Sequence, residues 1–180
     1  MKNLFYKNRI NFFLILFLFL FSLTIRTIQI QNFPPNITGD EVTNLSDIYR
    51  MLFGTGNYLF SFVGDGGIEG IIFYWPLLLI KIFGIANSLI AARISVAIVA
   101  SLTIIPFFLI VKKHTSTTNS FIFSILFSVN YVFLNFSRTF WSNIYTVFLG
   151  LFLIFFLEKA IRDKKIIFYI LAGFFAGFIV

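Results

Sequence analysis

Two adjacent carboxylates, Asp40 and Glu41, are the residues of this sequence whose types and spacing best suit chemistry. The chain has only seven acids in 180 residues, and this pair closely follows the first apolar segment of membrane length. A carboxylate can act as a general base that removes a proton from a reacting group. The alternative is that both acids only complement the dipole of a helix that begins here.

The residues around this pair predict a short amphipathic helix. Thr38 and Glu41 have the spacing of a capping box, so a helix should begin at this point. Apolar residues follow at helical spacing, and Gly54 supplies a stop: Val42, Leu45, Ile48, Tyr49, Leu52 and Phe53. The helix is too short and too charged to cross a bilayer. We therefore expect it on the membrane surface, with its apolar side toward lipid and its acidic first turn facing a cavity.

The composition indicates a polytopic helical membrane protein. The chain is 59% apolar and 21% aromatic, with a mean hydropathy of +0.94, which excludes a soluble globular domain. The net charge is +7, but the basic residues are scattered between apolar segments, so no nucleic-acid partner is expected. Cysteine is absent, which excludes disulfides, thiolate metal sites and cysteine nucleophiles from this sequence.

Apolar segments divide the chain into about five predicted membrane spans. They lie at about 11–29, 88–111, 119–137, 141–157 and from about 166 onward. The last segment holds about fifteen residues, fewer than the roughly twenty that cross a bilayer. We therefore predict an all-α, polytopic transmembrane helical bundle, of which residues 1–180 are the N-terminal part of one domain.

A long loop at about 30–87 separates the first two spans and carries five of the seven acids. It contains the amphipathic helix that begins near Thr38. It also contains a second short helix that starts with Tyr74, Trp75 and Pro76 and ends near Gly84, a pattern typical of a membrane interface.

The positions of the basic residues predict the topology. Nine of the fourteen lie in the N-terminal segment, the 112–114 turn and the 158–165 loop, which the positive-inside rule places in the cytoplasm. The N-terminus is then cytoplasmic and the 30–87 loop lies on the outer side. The remaining five fall on that outer side, close to the bilayer, and suggest a bound anionic group: Arg26, Arg50, Lys81, Arg93 and Arg138.

Several short motifs, taken in order, resemble a known family. They are Gly39-Asp40-Glu41, Tyr74-Trp75-Pro76-Leu77, Phe83-Gly84, Ala92-Arg93, Phe136-Ser137-Arg138 and Glu158-Lys159-Ala160. Their order and spacing resemble the polyprenyl-phosphate-sugar-dependent glycosyltransferases of the GT-C type. That family includes the dolichyl-phosphate-mannose protein mannosyltransferases and the lipid A aminoarabinose transferase.

The resemblance implies many transmembrane helices with a catalytic first outer loop, and it implies that Asp40 is the catalytic carboxylate with Glu41 beside it. The expected reaction moves a hexosyl or pentosyl group from a polyprenyl-phosphate donor to an acceptor hydroxyl on the outer face, with inversion. The acceptor would be a protein, a lipid or a glycan, and the plasma (inner) membrane is the expected location. We expect the 180 residues alone to be inactive.

Such a reaction needs positive charge at the donor phosphate, and the candidates are Arg138, Arg93 and Lys81. A divalent cation could substitute for one of them. Two departures from the family pattern bear on this site. Tyr74 stands where a Lys or His often precedes the proline, and Asn143 stands where several members carry an acid, which weakens a metal site with two acids.

Each assignment has an alternative. Arg93 and Arg138 could only extend toward lipid headgroups, and Lys81 could be an interfacial anchor. The chain as a whole could be a non-enzymatic polytopic membrane protein, a transporter piece or an assembly subunit, whose outer loop binds a partner.

Overall fold

The structure is a computed structural model that describes residues 2–54, 60–61, 68–69 and 73–179. Almost all of these residues are helical, which confirms the predicted all-α class. The helices are α1 Lys2–Thr27, α2 Gly39–Leu52, α3 Tyr74–Phe83, α4 Ser88–Leu102, α5 Ile104–His114, α6 Thr117–Val129, α7 Tyr131–Phe136, α8 Asn143–Asp163 and α9 Ile166–Gly177. A two-residue antiparallel pairing joins β1 Phe60–Ser61 to β2 Ile68–Glu69.

Three helical stretches of the described chain are long and apolar enough to cross a membrane: Ile10–Thr27, Ile85–His114 and Asn143–Asp163. The apolar helices α6 and α9 are shorter, with 13 and 12 residues. They coincide with the predicted third and fifth spans. The chain is thus a polytopic helical membrane protein, and the number of five spans stays a prediction.

The central element is the pair of helices α4 and α5, which together correspond to the single span predicted at about 88–111. The stretch Ile85–His114 is 56% buried, against 17% for each of the other two long stretches. A break at Thr103 separates the two helices. Pro106 explains the break, because it has no N–H to donate to the carbonyl of Leu102 and its ring displaces that turn.

The predicted third span is also interrupted. Helix α6 ends at Val129, and Asn130 caps the short α7 by accepting a hydrogen bond from the N–H of Phe133. A polar residue with a cap-forming side chain therefore divides a segment that appears uniformly apolar by hydropathy.

The other helices pack around α4 and α5. Helices α1, α3 and α8 contact α4, and α1, α6 and α8 contact α5, while α9 packs on α8. Helix α4 is rich in Ala and Ser, and these small residues let neighbouring helices approach closely. The larger apolar core joins α2, α3, α4 and α8 and includes Ile48, Phe73, Val96 and Phe140.

Candidate functional site

The first turn of α2 is fixed by the predicted capping box. Thr38 Oγ1 accepts from the N–H of Glu41 at 3.3 Å, and Glu41 Oε2 accepts from the N–H of Thr38 at 3.1 Å. Both bonds satisfy donors that a helix start otherwise leaves without partners. The predicted start of α2 is confirmed.

The apolar side of α2 packs on protein. Leu45 and Ile48 are buried in the core shared with α3 and α4, whereas Val42 and Phe53 are 56% and 67% exposed. The predicted apolar stripe therefore divides into a side that contacts the bundle and an exposed side.

Glu41 is fully buried and pairs with Arg93 of α4. Arg93 Nε donates to Glu41 Oε1 at 2.7 Å, and Arg93 Nη2 donates to Oε2 at 2.9 Å. This two-pronged geometry is the strong form of a carboxylate–guanidinium contact. The pair joins α2 to the central helix.

The same arginine holds the segment that connects α1 to α2. Its remaining N–H groups donate to the carbonyl oxygens of Ile30, Pro34 and Asn36 at 3.2, 3.1 and 2.8 Å. All five N–H groups of Arg93 are thereby engaged. Arg93 has no donor left for a phosphate in this arrangement, and its predicted contact with the donor phosphate stays a prediction.

The pKa of Glu41 reflects these contacts. Burial on its own would raise it, but the hydrogen bonds from Arg93, from the N–H of Phe140 and from the N–H of Thr38 outweigh burial. The pKa of Glu41 therefore lies below its ordinary value. A carboxylate held in its ionised form by so many donors is a poor proton acceptor.

The turn between α7 and α8 is attached to α2 at two points. The N–H of Phe140 donates to Glu41 Oε1 at 2.9 Å, and the carbonyl of Phe140 accepts from Asn44 Nδ2 at 3.0 Å. The N–H and the carbonyl of the buried Phe140 are thus both hydrogen-bonded to side chains of α2. This turn also carries Arg138, two residues earlier.

Arg138 is half-buried and, unlike Arg93, largely uncommitted. Within the described chain its guanidinium makes one hydrogen bond, from Nη2 to the carbonyl of Ile28 at 2.5 Å. Its Nε is buried without a partner among the described residues. Burial, and then the positive charge of nearby Arg93, lower the pKa of Arg138. Glu41 pairs with Arg93, and among the described residues no carboxylate pairs with Arg138, which leaves the guanidinium of Arg138 suited to an anion.

The structure places Asp40 and Lys81 differently from each other. Asp40 is exposed in the first turn of α2. It is adjacent to Glu41, which contacts the turn that carries Arg138. Lys81 is exposed in the last turn of α3, and no bond in the described residues joins it to this cluster. The structure thus brings Asp40, Glu41, Arg93 and Arg138 to one region and leaves Lys81 apart.

An open groove of about 540 Å³ runs along the exposed side of α2. Ile37 and Val42, which flank Asp40 in the sequence, lie at one end, and Phe53 lies at the other. The start of α4 forms its opposite wall, where Tyr49 OH and Ser88 Oγ are 2.6 Å apart.

Two buried polar residues of α2 were not predicted as part of the site. Asn44 and Asp47 are each 3% exposed and follow Glu41 at intervals of three residues. Asp47 Oδ2 is buried and has no hydrogen-bond partner in the part of the chain that the structure describes. Their spacing from Glu41 was the available signal, because it places all three on the side of α2 that faces the bundle.

The described residues contain no group of three His, Asp or Glu side chains that could hold a metal ion. The donor set in this part of the chain does not by itself form a metal site. A divalent cation at this site stays a prediction.

These features define a class: a multi-pass helical membrane protein whose acid-bearing surface helix is fixed beside an arginine-bearing turn. The family of dolichyl-phosphate-mannose-protein mannosyltransferases matches residues 71–180, more than half of the chain, and the chain belongs to this family. No curated protein and no solved structure matches it. The predicted GT-C resemblance is confirmed, and with it sugar transfer from a polyprenyl-phosphate donor in general.

The matched residues include Lys81, Arg93 and Arg138 but begin after Asp40 and Glu41. The family match therefore covers the central helices and the Arg138 turn. The roles of the two acids stay predictions.

Proposed function

We propose that the protein transfers a sugar from a polyprenyl-phosphate donor to an acceptor hydroxyl, with Asp40 as the general base and Arg138 as the ligand of the donor phosphate. Glu41 and Arg93 are positioning residues in this proposal. The observation that carries it is the contrast between the arginines, because Arg93 has five engaged N–H groups while Arg138 has one among the described residues.

The reaction proceeds by one displacement. Asp40 takes the proton of the acceptor hydroxyl, the oxygen of that hydroxyl bonds to the anomeric carbon, and the bond from that carbon to the phosphate oxygen breaks. The electron pair of the broken bond leaves with the polyprenyl phosphate, whose added negative charge Arg138 stabilises. Attack opposite the leaving group inverts the configuration at the anomeric carbon.

The positions of the two groups support this division. Asp40 is exposed, so an acceptor can reach it, while the adjacent Glu41 is buried and ion-paired. Arg138 is half-buried, and a partly desolvated guanidinium binds phosphate more strongly than one in water.

The outer side of the plasma (inner) membrane is the proposed location of this site, with the N-terminus in the cytoplasm. The basic residues of the 112–114 turn and the 158–165 loop support this orientation. The acceptor is proposed only as a hydroxyl of a protein, a lipid or a glycan, and the transferred group as a hexosyl or pentosyl sugar.

The test is sugar transfer by the full-length protein in membranes, with a radiolabelled polyprenyl-phosphate sugar. Asp40→Asn should reduce transfer by at least about a hundredfold, because removal of a general base typically costs 10²–10⁴ in rate. Asp163→Asn is the matched control, since this acid pairs with Arg162 at the C-terminal end of α8, distant in sequence, and should leave transfer unchanged. Unchanged transfer by Asp40→Asn would reject the assigned base. Retention of the anomeric configuration in the product would reject the single displacement.

A further inference from the structure

The hydrogen bond between Asn44 and the backbone of Phe140 connects the two halves of the proposed site. Asn44 lies four residues after Asp40, one turn further along the same side of α2. Its Nδ2 donates to the carbonyl oxygen of Phe140 at 3.0 Å, and both residues are almost completely buried. Arg138 is two residues before Phe140 in the same turn.

We propose that Asn44 is a positioning residue that sets the separation between the base-bearing turn of α2 and the guanidinium of Arg138. The inference rests on the function proposed above. It adds to that function a role for the side-chain amide of Asn44, which acts through the Phe140 turn and not by contact with donor or acceptor.

Two attachment points are needed to fix the turn. Glu41 Oε1 accepts from the N–H of Phe140, and one hydrogen bond lets the turn rotate about it. The amide of Asn44 holds the opposite side of the same residue through its carbonyl. The two bonds together fix both the distance and the orientation of the turn relative to α2.

Among the described residues, the remaining contacts of the turn are packing in the apolar core and hydrogen bonds within the turn, and none of these is a hydrogen bond to α2. The ring of Phe140 packs edge-on against Phe73, with ring centroids 6.2 Å apart, and a ring contact tolerates sliding better than a hydrogen bond does. Arg138 itself is attached through one bond, to the carbonyl of Ile28 at the end of α1. Loss of the Asn44 bond also leaves a buried carbonyl without a partner, which favours movement of the turn.

The first experiment is Asn44→Ala in the full-length protein, with kcat and KM measured for the polyprenyl-phosphate donor. We expect kcat/KM to fall about tenfold, which corresponds to the loss of one buried hydrogen bond. We expect the variant still to fold. Asn87→Ala is the matched control, because Asn87 Nδ2 also donates to a backbone carbonyl, that of Phe83 at 3.0 Å, but in an exposed turn. Asn44→Gln keeps an amide donor and should recover part of the loss. Asn44→Ser is the second variant if Asn44→Ala does not fold.

A double substitution separates positioning from general stability. If Asn44 acts through Arg138, then Asn44→Ala should cost no further activity in an Arg138→Ala background. Equal losses in both backgrounds, or wild-type kinetics of Asn44→Ala, would overturn the inference. If Asp40→Asn and Arg138→Ala are both fully active, the proposed function has failed instead.

A distance measurement gives a readout without activity. The 180 residues contain no cysteine, so Val42→Cys on α2 and Tyr131→Cys on α7 introduce two exposed labelling sites. Spin labels there should show a broader distance distribution with Asn44→Ala and an unchanged one with Asn87→Ala. An unchanged distribution in both would contradict the role of Asn44.

Discussion

Arg93 Nε lies 2.7 Å from Glu41 Oε1, and the two side chains are 1% and 0% exposed. This buried pair joins the central helix α4 to the first turn of the surface helix α2. Charges removed from water are stable only while they are paired. The contact therefore restricts where Asp40, the residue directly before Glu41, can lie.

The first prediction concerns this pair. Glu41→Ala should lower the free energy of unfolding by about 3–5 kcal/mol, because it leaves the guanidinium of Arg93 buried without its counter-charge. Thermal unfolding in detergent, followed by the loss of monodisperse protein, measures the effect. Glu158→Ala is the control, since its partner Lys113 is partly exposed and such pairs contribute up to about 1 kcal/mol. Equal effects of the two substitutions would contradict the structural role of Glu41.

The second prediction is a pH dependence. The pKa of Glu41 is lowered from 4.5 in the folded protein, so its ionised form stabilises the fold fully above that pH. This contribution should be lost as the pH falls below 4.5 and through the lowered pKa. Melting temperatures measured between about pH 7 and pH 3 should therefore decline less steeply for Glu41→Gln than for the wild type. A steeper decline for the variant would show that the pKa of Glu41 is shifted the other way.

The third prediction concerns Arg138. Arg138→Gln should reduce kcat/KM for the lipid donor by about a hundredfold, because one charged donor to the leaving phosphate is lost. Arg138→Lys should retain more activity, since it keeps the charge but not the two-pronged geometry. Arg162→Gln, at an exposed arginine paired with Asp163, is the control and should be neutral. Wild-type kinetics for Arg138→Gln would remove this residue from the site.

The fourth prediction compares the two tryptophans. Trp75 Nε1 donates to the carbonyl of Ser95 at 3.2 Å, whereas the ring of Trp141 packs on Phe136 with centroids 4.2 Å apart. Trp75→Phe should therefore cost about 1 kcal/mol of stability, and Trp141→Phe less, because phenylalanine preserves the ring contact. The melting temperatures of the two variants provide the measurement, and a larger effect at Trp141 would contradict the expectation.

The sequence predicted the features that local chemistry determines. The capping box at Thr38 and Glu41, the short helix that ends at Gly84 and the all-α membrane class all follow from neighbouring residues or from composition. The breaks at Thr103 and Asn130 were missed, although Pro106 and Asn130 itself were available signals. A hydropathy average conceals single residues of this kind.

The site was predicted less completely, because its contacts join residues far apart in the chain. Glu41 and Arg93 were both named, but their pairing over 52 positions has no local signature. The role of Phe140 could not have been predicted from residue type, because it acts through its backbone N–H and carbonyl. The division between an engaged Arg93 and an available Arg138 is likewise a property of the folded chain.

The attachment of α2 also has a consequence for biosynthesis. The partners of Glu41 lie 52 and 99 positions later, at Arg93 and Phe140. After α2 has been translated, several apolar helices must therefore still be translated and inserted before α2 can form these contacts. The candidate base Asp40 is therefore translated long before the residues that fix its neighbour Glu41 in place.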